Sequence, residues 1–126
     1  RIDPKGLAMS IYIASKAHHG QRWRQLRDAG YPIISTWIDE SGPGGTVSYE
    51  SLWARNISEA GAATYLIAYN EPGETPKGAL TEIGAALANG RRVLWVGPSD
   101  GQTVIGHPLV TMSHSLDGAL IEALQL

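Results

Sequence analysis

The sequence contains no cysteine among its 126 residues. This absence excludes disulfide bonds, thiolate nucleophiles and cysteine-ligated zinc, and it is typical of a reducing compartment. The sequence has no run of about 18 or more apolar residues, which a membrane-spanning helix needs. It also lacks the apolar N-terminal stretch of a secretory signal. We therefore expect a cytoplasmic protein with no membrane partner.

An excess of positive charge is missing as well. Ten lysine and arginine residues stand against twelve aspartate and glutamate residues, a formal net charge of -2. Binding of polymeric nucleic acid relies on a basic field, so the composition disfavours that partner and leaves a nucleotide-sized ligand open. Hydrophobic residues make up 43% of the chain, which is enough for the core of one domain. We expect a single domain over 9–126, with 1–8 forming an N-terminal arm or a remnant of expression.

Short apolar runs alternate with segments of helical spacing along the chain. The pattern predicts four helices: one that Gly30 closes, and others over 50–60, 78–89 and 116–124, the last capped by Ser115. The predicted strands are 10–14, 31–36, 64–69, 92–96 and 109–112.

Strands separated by helices need crossover connections, which produce a parallel sheet covered on both faces. The simplest arrangement is an α/β fold, a flavodoxin-like three-layer sandwich with a five-stranded parallel sheet in the order 2-1-3-4-5. Ligands bind such sheets beyond the carboxyl ends of the strands, where the strand order reverses. This rule nominates the loops 15–20 and 70–77.

Glu82 lies near the start of the predicted helix over 78–89. Unpaired amides and the positive end of the helix dipole favour an ionised carboxylate there. An ionised carboxylate beside a sugar ring can attack the anomeric carbon. Simple compensation of the helix dipole explains the same residue, so its position leaves both roles open.

Three segments between residues 11 and 96 form a pattern that can be compared with known families. They are Ile-Tyr-Ile-Ala at 11–14, Arg-Val-Leu-Trp-Val at 92–96 and a Gly-x-x-x-Glu-x-Gly-x-Ala-x-Ala motif between them. The motif falls on Gly78, Glu82, Gly84, Ala86 and Ala88. In these segments, and over nearly all of the chain from Met9, the sequence resembles the nucleoside 2-deoxyribosyltransferase family, which includes related deoxynucleoside monophosphate N-glycosidases.

The resemblance implies an enzyme that cleaves the N-glycosidic bond of deoxynucleosides or their monophosphates without a metal or organic cofactor. It makes Glu82 the nucleophile and Tyr12 the residue that holds it. The loop aspartate that protonates the leaving base in the family is missing here, and Glu74, with Glu71 beside it, stands in its place. An ordinary strand aromatic and a solvated loop glutamate remain the alternative interpretations of Tyr12 and Glu74.

The first loop departs from the family, because it carries cationic or titratable residues instead of Gly-Pro and aromatic residues. Ser15, Lys16, His18, His19 and Arg22 lie where a strand meets a helix N-terminus, which suits a phosphate group. The two histidines are also compatible with merely flanking an exposed helix start. We expect no metal site, because adjacent histidines do not naturally face one point.

The remaining candidate substrate contacts are Trp37, Arg55, Asn70 and Gly78. Trp37 is placed to stack on a base or to join the core, and Arg55 to reach a phosphate. We expect Trp53 in the core.

In the family a neighbouring subunit completes each site through the region before its last helix. The resemblance therefore implies a homodimer or higher homo-oligomer, with 111–115 crossing the interface.

Two functions follow from these observations. The first is cleavage or transfer at the N-glycosidic bond of a nucleoside or nucleotide. The alternative is a catalytically inactive nucleotide-binding module of the same fold. Flavin binding is disfavoured, because no Ser/Thr-rich phosphate loop follows the first strand.

Overall fold

The structure is a computed structural model that describes residues 8–42 and 44–124, so most of the predicted N-terminal arm lies outside the described residues. The strands are β1 (Ile11–Ala14), β2 (Tyr65–Tyr69), β3 (Arg92–Val96) and β4 (Val110–Ser113). The helices are α1 (Gly20–Asp28), α2 (Tyr49–Ala62), α3 (Gly78–Ala88) and α4 (Leu116–Leu124). Short 3-10 helices cover Ala17–His19, Thr36–Glu40 and Thr103–Gly106.

The four strands form one parallel sheet in the order β1-β2-β3-β4. Every residue of β1 and β2 is buried, and successive side chains of a strand point to opposite faces, so both faces of the sheet are covered there. Helix α3 packs against β1, β2, β3 and α2, whereas α4 packs against β2, β3 and β4. The predicted α/β class with a parallel sheet is confirmed.

The prediction of five strands is wrong at the second strand. Within 31–36 the structure has a single parallel bridge, between Ile33 and Ile11. Pro32 has no N–H for a strand ladder, and the Ile33 amide donates instead to the Tyr31 carbonyl at 2.8 Å. The segment therefore lies beside β1 without forming a strand, and the sheet has the order β1-β2-β3-β4 in place of the predicted 2-1-3-4-5.

Helices α1 and α3 end close to the glycines predicted to close them, whereas α2 runs two residues beyond its predicted end, to Ala62. Gly30 and Gly90 follow α1 and α3 with φ angles of 107° and 71°, which only glycine adopts readily. The Ser115 hydroxyl accepts the Gly118 amide at 3.0 Å and so caps α4. No helix in the described ranges combines the length and the apolar character that crossing a membrane requires.

Gly97 allows the chain leaving β3 to pass close to the end of β2. Its φ is 102°, and a Cβ there would lie 1.7 Å from the Asn70 carbonyl oxygen. Gly101 also has a positive φ, 77°, but a Cβ there would meet no atom within 4 Å.

This contrast predicts the cost of two alanine substitutions. Gly97→Ala should lower the free energy of unfolding by at least about 3 kcal/mol, because backbone strain and a backbone clash add. Gly101→Ala should cost about 1–2 kcal/mol, from strain alone. Urea denaturation measures both free energies of unfolding. Equal losses would show that the close approach of Gly97 to the Asn70 carbonyl adds nothing to the cost of alanine at residue 97.

Candidate active site

A cavity of about 210 Å³ lies beyond the carboxyl ends of β1 and β2. Ser15 directly follows β1 and Asn70 directly follows β2, so both loops nominated by the topology contribute to its wall. Asn70 is buried, and its backbone amide donates to the Val96 carbonyl at 2.9 Å. The lining residues are Ser15, Lys16, Ala17, Trp37, Leu52, Trp53, Asn56, Asn70, Pro76, Lys77, Gly78, Ala79 and Glu82.

Glu82, which lines this cavity, is in contact with Tyr12. Glu82 is the fifth residue of α3 and only 6% exposed. The Tyr12 hydroxyl, fully buried on β1, donates a hydrogen bond to Glu82 Oε2. Glu82 Oε1 forms no hydrogen bond within the described residues. Because the free amides of a helix belong to its first turn, this position does not fit simple dipole compensation.

The burial of this pair sets its ionisation. Burial raises the pKa of Glu82 to about 7; the Tyr12 hydrogen bond acts in the opposite direction, and the negative charge of Glu59 adds to the rise. Burial and the neighbouring Glu82 charge hold the pKa of Tyr12 well above its ordinary value, so its hydroxyl stays a donor. A carboxylate with one oxygen held and the other free is suited to nucleophilic attack.

Two tryptophans line the cavity. Trp37 is 8% exposed and donates through Nε1 to the Ile13 carbonyl at 2.7 Å, so it belongs both to the core and to the cavity wall. The expectation that Trp53 lies in the core is wrong, because it is half-buried against Gly78, where a Cβ would lie 3.1 Å from its ring. Both rings offer apolar surface on which a base can stack.

Asn56 lines the cavity, although the sequence analysis assigned it no role. It lies on α2 and is 4% exposed. Its Oδ1 is the one buried side-chain nitrogen or oxygen in the described residues that lacks a hydrogen-bond partner. A buried acceptor without a partner costs about 1–3 kcal/mol, and such atoms call for a functional explanation. Its signal in the sequence is the spacing of three residues from Trp53, which places both on one helix face.

His18 and His19 both meet Glu74, contrary to the expectation that adjacent histidines do not face one point. Their Nε2 atoms lie 3.2 Å and 2.9 Å from Glu74 Oε2, because the 3-10 turn at Ala17–His19 directs both rings to the same carboxylate. Burial would raise the pKa of Glu74, but hydrogen bonds from the Glu71 amide and His19 outweigh it and hold the pKa below its usual range. Glu74 is not among the cavity-lining residues.

The two candidate arginines are engaged with other groups and do not line the cavity. Arg22 donates to the Tyr69 hydroxyl at 2.7 Å and lies 3.9 Å from Glu71. Arg55 is ion-paired with Glu40.

Two lysines are the available cations of the cavity. Lys16 was a candidate from the sequence, whereas Lys77, which immediately precedes α3, was not. Both line the cavity, and neither forms an ion pair within 8–42 and 44–124. They lie on the two opposite loops, so an anion in the cavity would meet positive charge from both.

The raised pKa of Glu82 predicts a pH dependence of stability. The native pKa of about 7 lies above the ordinary value of 4.5, so the folded protein keeps a proton that the unfolded chain loses between these values. The contribution of Glu82 to stability is therefore full at low pH and is lost as the pH rises through about 7, in total about 3 kcal/mol.

Glu82→Gln should remove this loss. Relative to the unchanged protein, its free energy of unfolding should rise by about 3 kcal/mol between about pH 4.5 and pH 8, measured by urea denaturation. Glu122→Gln, an exposed change on α4, is the matched control and should follow the unchanged protein. If the free energies of unfolding of Glu82→Gln and the unchanged protein changed with pH in parallel, burial would not raise the pKa of Glu82 as argued.

Comparisons with known proteins identify the fold. No family model and no curated protein matches the sequence. The CMP N-glycosidase BcmB of Clostridium botulinum is similar in structure, with a TM-score of 0.59, 16% identity, and coverage of 93% of this chain and 99% of that chain. A 2-deoxyribosyltransferase of Leishmania mexicana matches with a TM-score of 0.54 at 22% identity, over 71% of this chain and 65% of that chain. At these identities the likeness shows that the chain shares the fold of these two enzymes.

Proposed function

We propose that the protein cleaves or transfers the N-glycosidic bond of deoxynucleosides or their monophosphates, with Glu82 as the nucleophile. The observation that carries this proposal is the contact between Tyr12 and the buried carboxylate of Glu82 at the wall of a cavity. The names of the two structurally similar proteins, a CMP N-glycosidase and a 2-deoxyribosyltransferase, support the same class of bond.

In this reaction Glu82 Oε1 attacks C1′ of the sugar while Oε2 keeps its hydrogen bond from Tyr12. The C1′–N bond breaks, its electron pair goes to the base, and the base takes a proton from water. A second water, or a second base, then attacks C1′ of the glycosyl ester, and the C1′–O bond breaks with its electron pair returning to Glu82. The hydroxide left by the first water takes the proton that the attacking group loses. Water rather than Glu74 supplies the proton because the two histidines engage Glu74 outside the cavity lining.

The remaining cavity residues fit the parts of a nucleotide. Trp37 and Trp53 would flank the base, and Asn56 Oδ1 would accept a hydrogen bond from it. Lys16 and Lys77, with the free amides at the start of α3, would receive the 5′-phosphate.

A second subunit would complete the site. Thr111 and Met112 are exposed on β4, the last strand of the described sheet, and Met112 is 48% exposed. We therefore place 111–115 at the interface of a homodimer or higher homo-oligomer.

The alternative function is a nucleotide-binding module without turnover. The engagement of Glu74 by histidines favours it, because within the described residues no loop carboxylate lines the cavity to protonate a leaving base. Incubation with deoxynucleosides, nucleosides and their 5′-monophosphates distinguishes the two. Release of free base indicates the enzyme, whereas binding of the same compounds without release indicates the module.

Replacement of Glu82 tests the nucleophile. Glu82→Gln keeps the shape of the side chain but removes the attacking charge, so base release, followed by chromatography, should fall at least about 1,000-fold. Glu122→Gln should retain the full rate. Tyr12→Phe should shift the acid limb of the pH–rate profile to higher pH. The Tyr12 hydrogen bond lowers the pKa of Glu82, so its removal should raise that pKa. Full activity of Glu82→Gln would reject the proposal.

The position of the lysines predicts a preference for phosphorylated ligands. A deoxynucleoside monophosphate should bind more tightly than its nucleoside by about 1–3 kcal/mol, and moderate salt should weaken this advantage. Lys77→Gln and Lys16→Gln should each reduce the difference in calorimetric titrations. Arg92→Gln is the control and should leave the difference unchanged, because Arg92 begins β3 at the end of the sheet away from the cavity. Equal affinity for the two ligand forms would exclude a phosphate site.

A further inference from the structure

We propose that His18, His19 and Glu74 bind a divalent transition-metal ion of the Zn²⁺ class beside the cavity. Their ligand atoms all lie within 4.8 Å of one another. Both histidine Nε2 atoms face the same oxygen, Glu74 Oε2, at 3.2 Å and 2.9 Å. In a tetrahedral zinc site with bonds of about 2.0–2.1 Å, neighbouring ligand atoms are about 3.3 Å apart, so small shifts would admit the ion.

The surroundings of two of the ligands hold them in place. The Glu71 amide donates to Glu74 Oε1 at 2.9 Å and fixes the orientation of the carboxylate. The His19 ring is 9% exposed and stands edge-on to Tyr69 and Trp23, with centroid distances of 5.3 Å and 6.4 Å. Outer contacts of this kind orient metal ligands and strengthen binding.

The donor set selects the class of ion. Two imidazole nitrogens and one carboxylate oxygen suit Zn²⁺, Co²⁺ or Ni²⁺, whereas Mg²⁺ and Ca²⁺ prefer oxygen ligands alone. The Glu71 carboxylate, 4.0 Å from His19 Nε2, adds a second negative charge close to a dication. Three protein ligands leave one position of a tetrahedral ion open to water or to an anion.

The site would connect the two loops that form the cavity. His18 and His19 belong to the loop after β1, and Glu74 belongs to the loop after β2. Ala17 and Pro76, on the same two loops, line the cavity. A bound ion would tie these loops together and stabilise the folded state by mass action.

Titration of the untagged protein tests the site. Calorimetry with Zn²⁺ should show one ion per chain, Co²⁺ should produce visible absorption bands of a tetrahedral site, and added Zn²⁺ should raise the melting temperature. His18→Gln, His19→Gln and Glu74→Gln should each weaken Zn²⁺ binding at least about 10-fold and abolish the Co²⁺ bands. His114→Gln, an exposed histidine before α4, is the matched control and should bind as the unchanged protein does.

His18→Gln is the decisive variant, because His18 is 67% exposed and its replacement leaves the core untouched. Circular dichroism checks that each variant is folded. Absence of stoichiometric Zn²⁺ binding would overturn the proposal, as would unchanged affinity in folded His18→Gln. None of these readouts depends on turnover, so failure of the metal site and failure of the glycosidic activity are separate results.

Discussion

The hydrogen bond between Tyr12 and Glu82 is the contact on which the rest of the candidate site depends. It joins β1 to α3 across 70 positions of sequence and places a carboxyl group inside the protein. A buried carboxylate is costly without a donor, and the fully buried Tyr12 supplies one that stays protonated. Burial raises the pKa of Glu82 and the hydrogen bond lowers it, and their balance lies at about 7. The carboxyl group can therefore ionise near neutral pH.

The space around this contact depends on close approaches that side chains would prevent. Gly97 lets the chain leaving β3 pass the carbonyl of Asn70, which keeps the ends of β2 and β3 together. Gly78 lets the start of α3 lie against Trp53 on α2. The parallel sheet places the carboxyl ends of its strands at one edge. Gly97 and Gly78 allow the segments that follow β3 and precede α3 to pack closely against their neighbours there.

Local patterns predicted what local forces decide. The runs 92–96 and 116–124 became β3 and α4 with the expected bounds, because apolar periodicity and caps determine such elements. The prediction of a strand over 31–36 was wrong, because a proline and a tight turn within this segment outweigh its apolar character. The meeting of His18 and His19 at one carboxylate was missed, because it depends on a 3-10 turn and on a loop more than fifty residues away.

Like charges near Glu82 would raise its pKa further and keep its carboxyl group protonated. A phosphorylated ligand would bring such charge into the cavity, so the position of the balancing cations matters. Glu71 lies 3.9 Å from Arg22 and Glu74 contacts both histidines, whereas Lys16 and Lys77 stay unpaired within the described residues and line the cavity. A phosphate held by these lysines would have its charge offset at the point of binding. The carboxylate of Glu82 could then remain ionised while an anionic ligand occupies the same cavity.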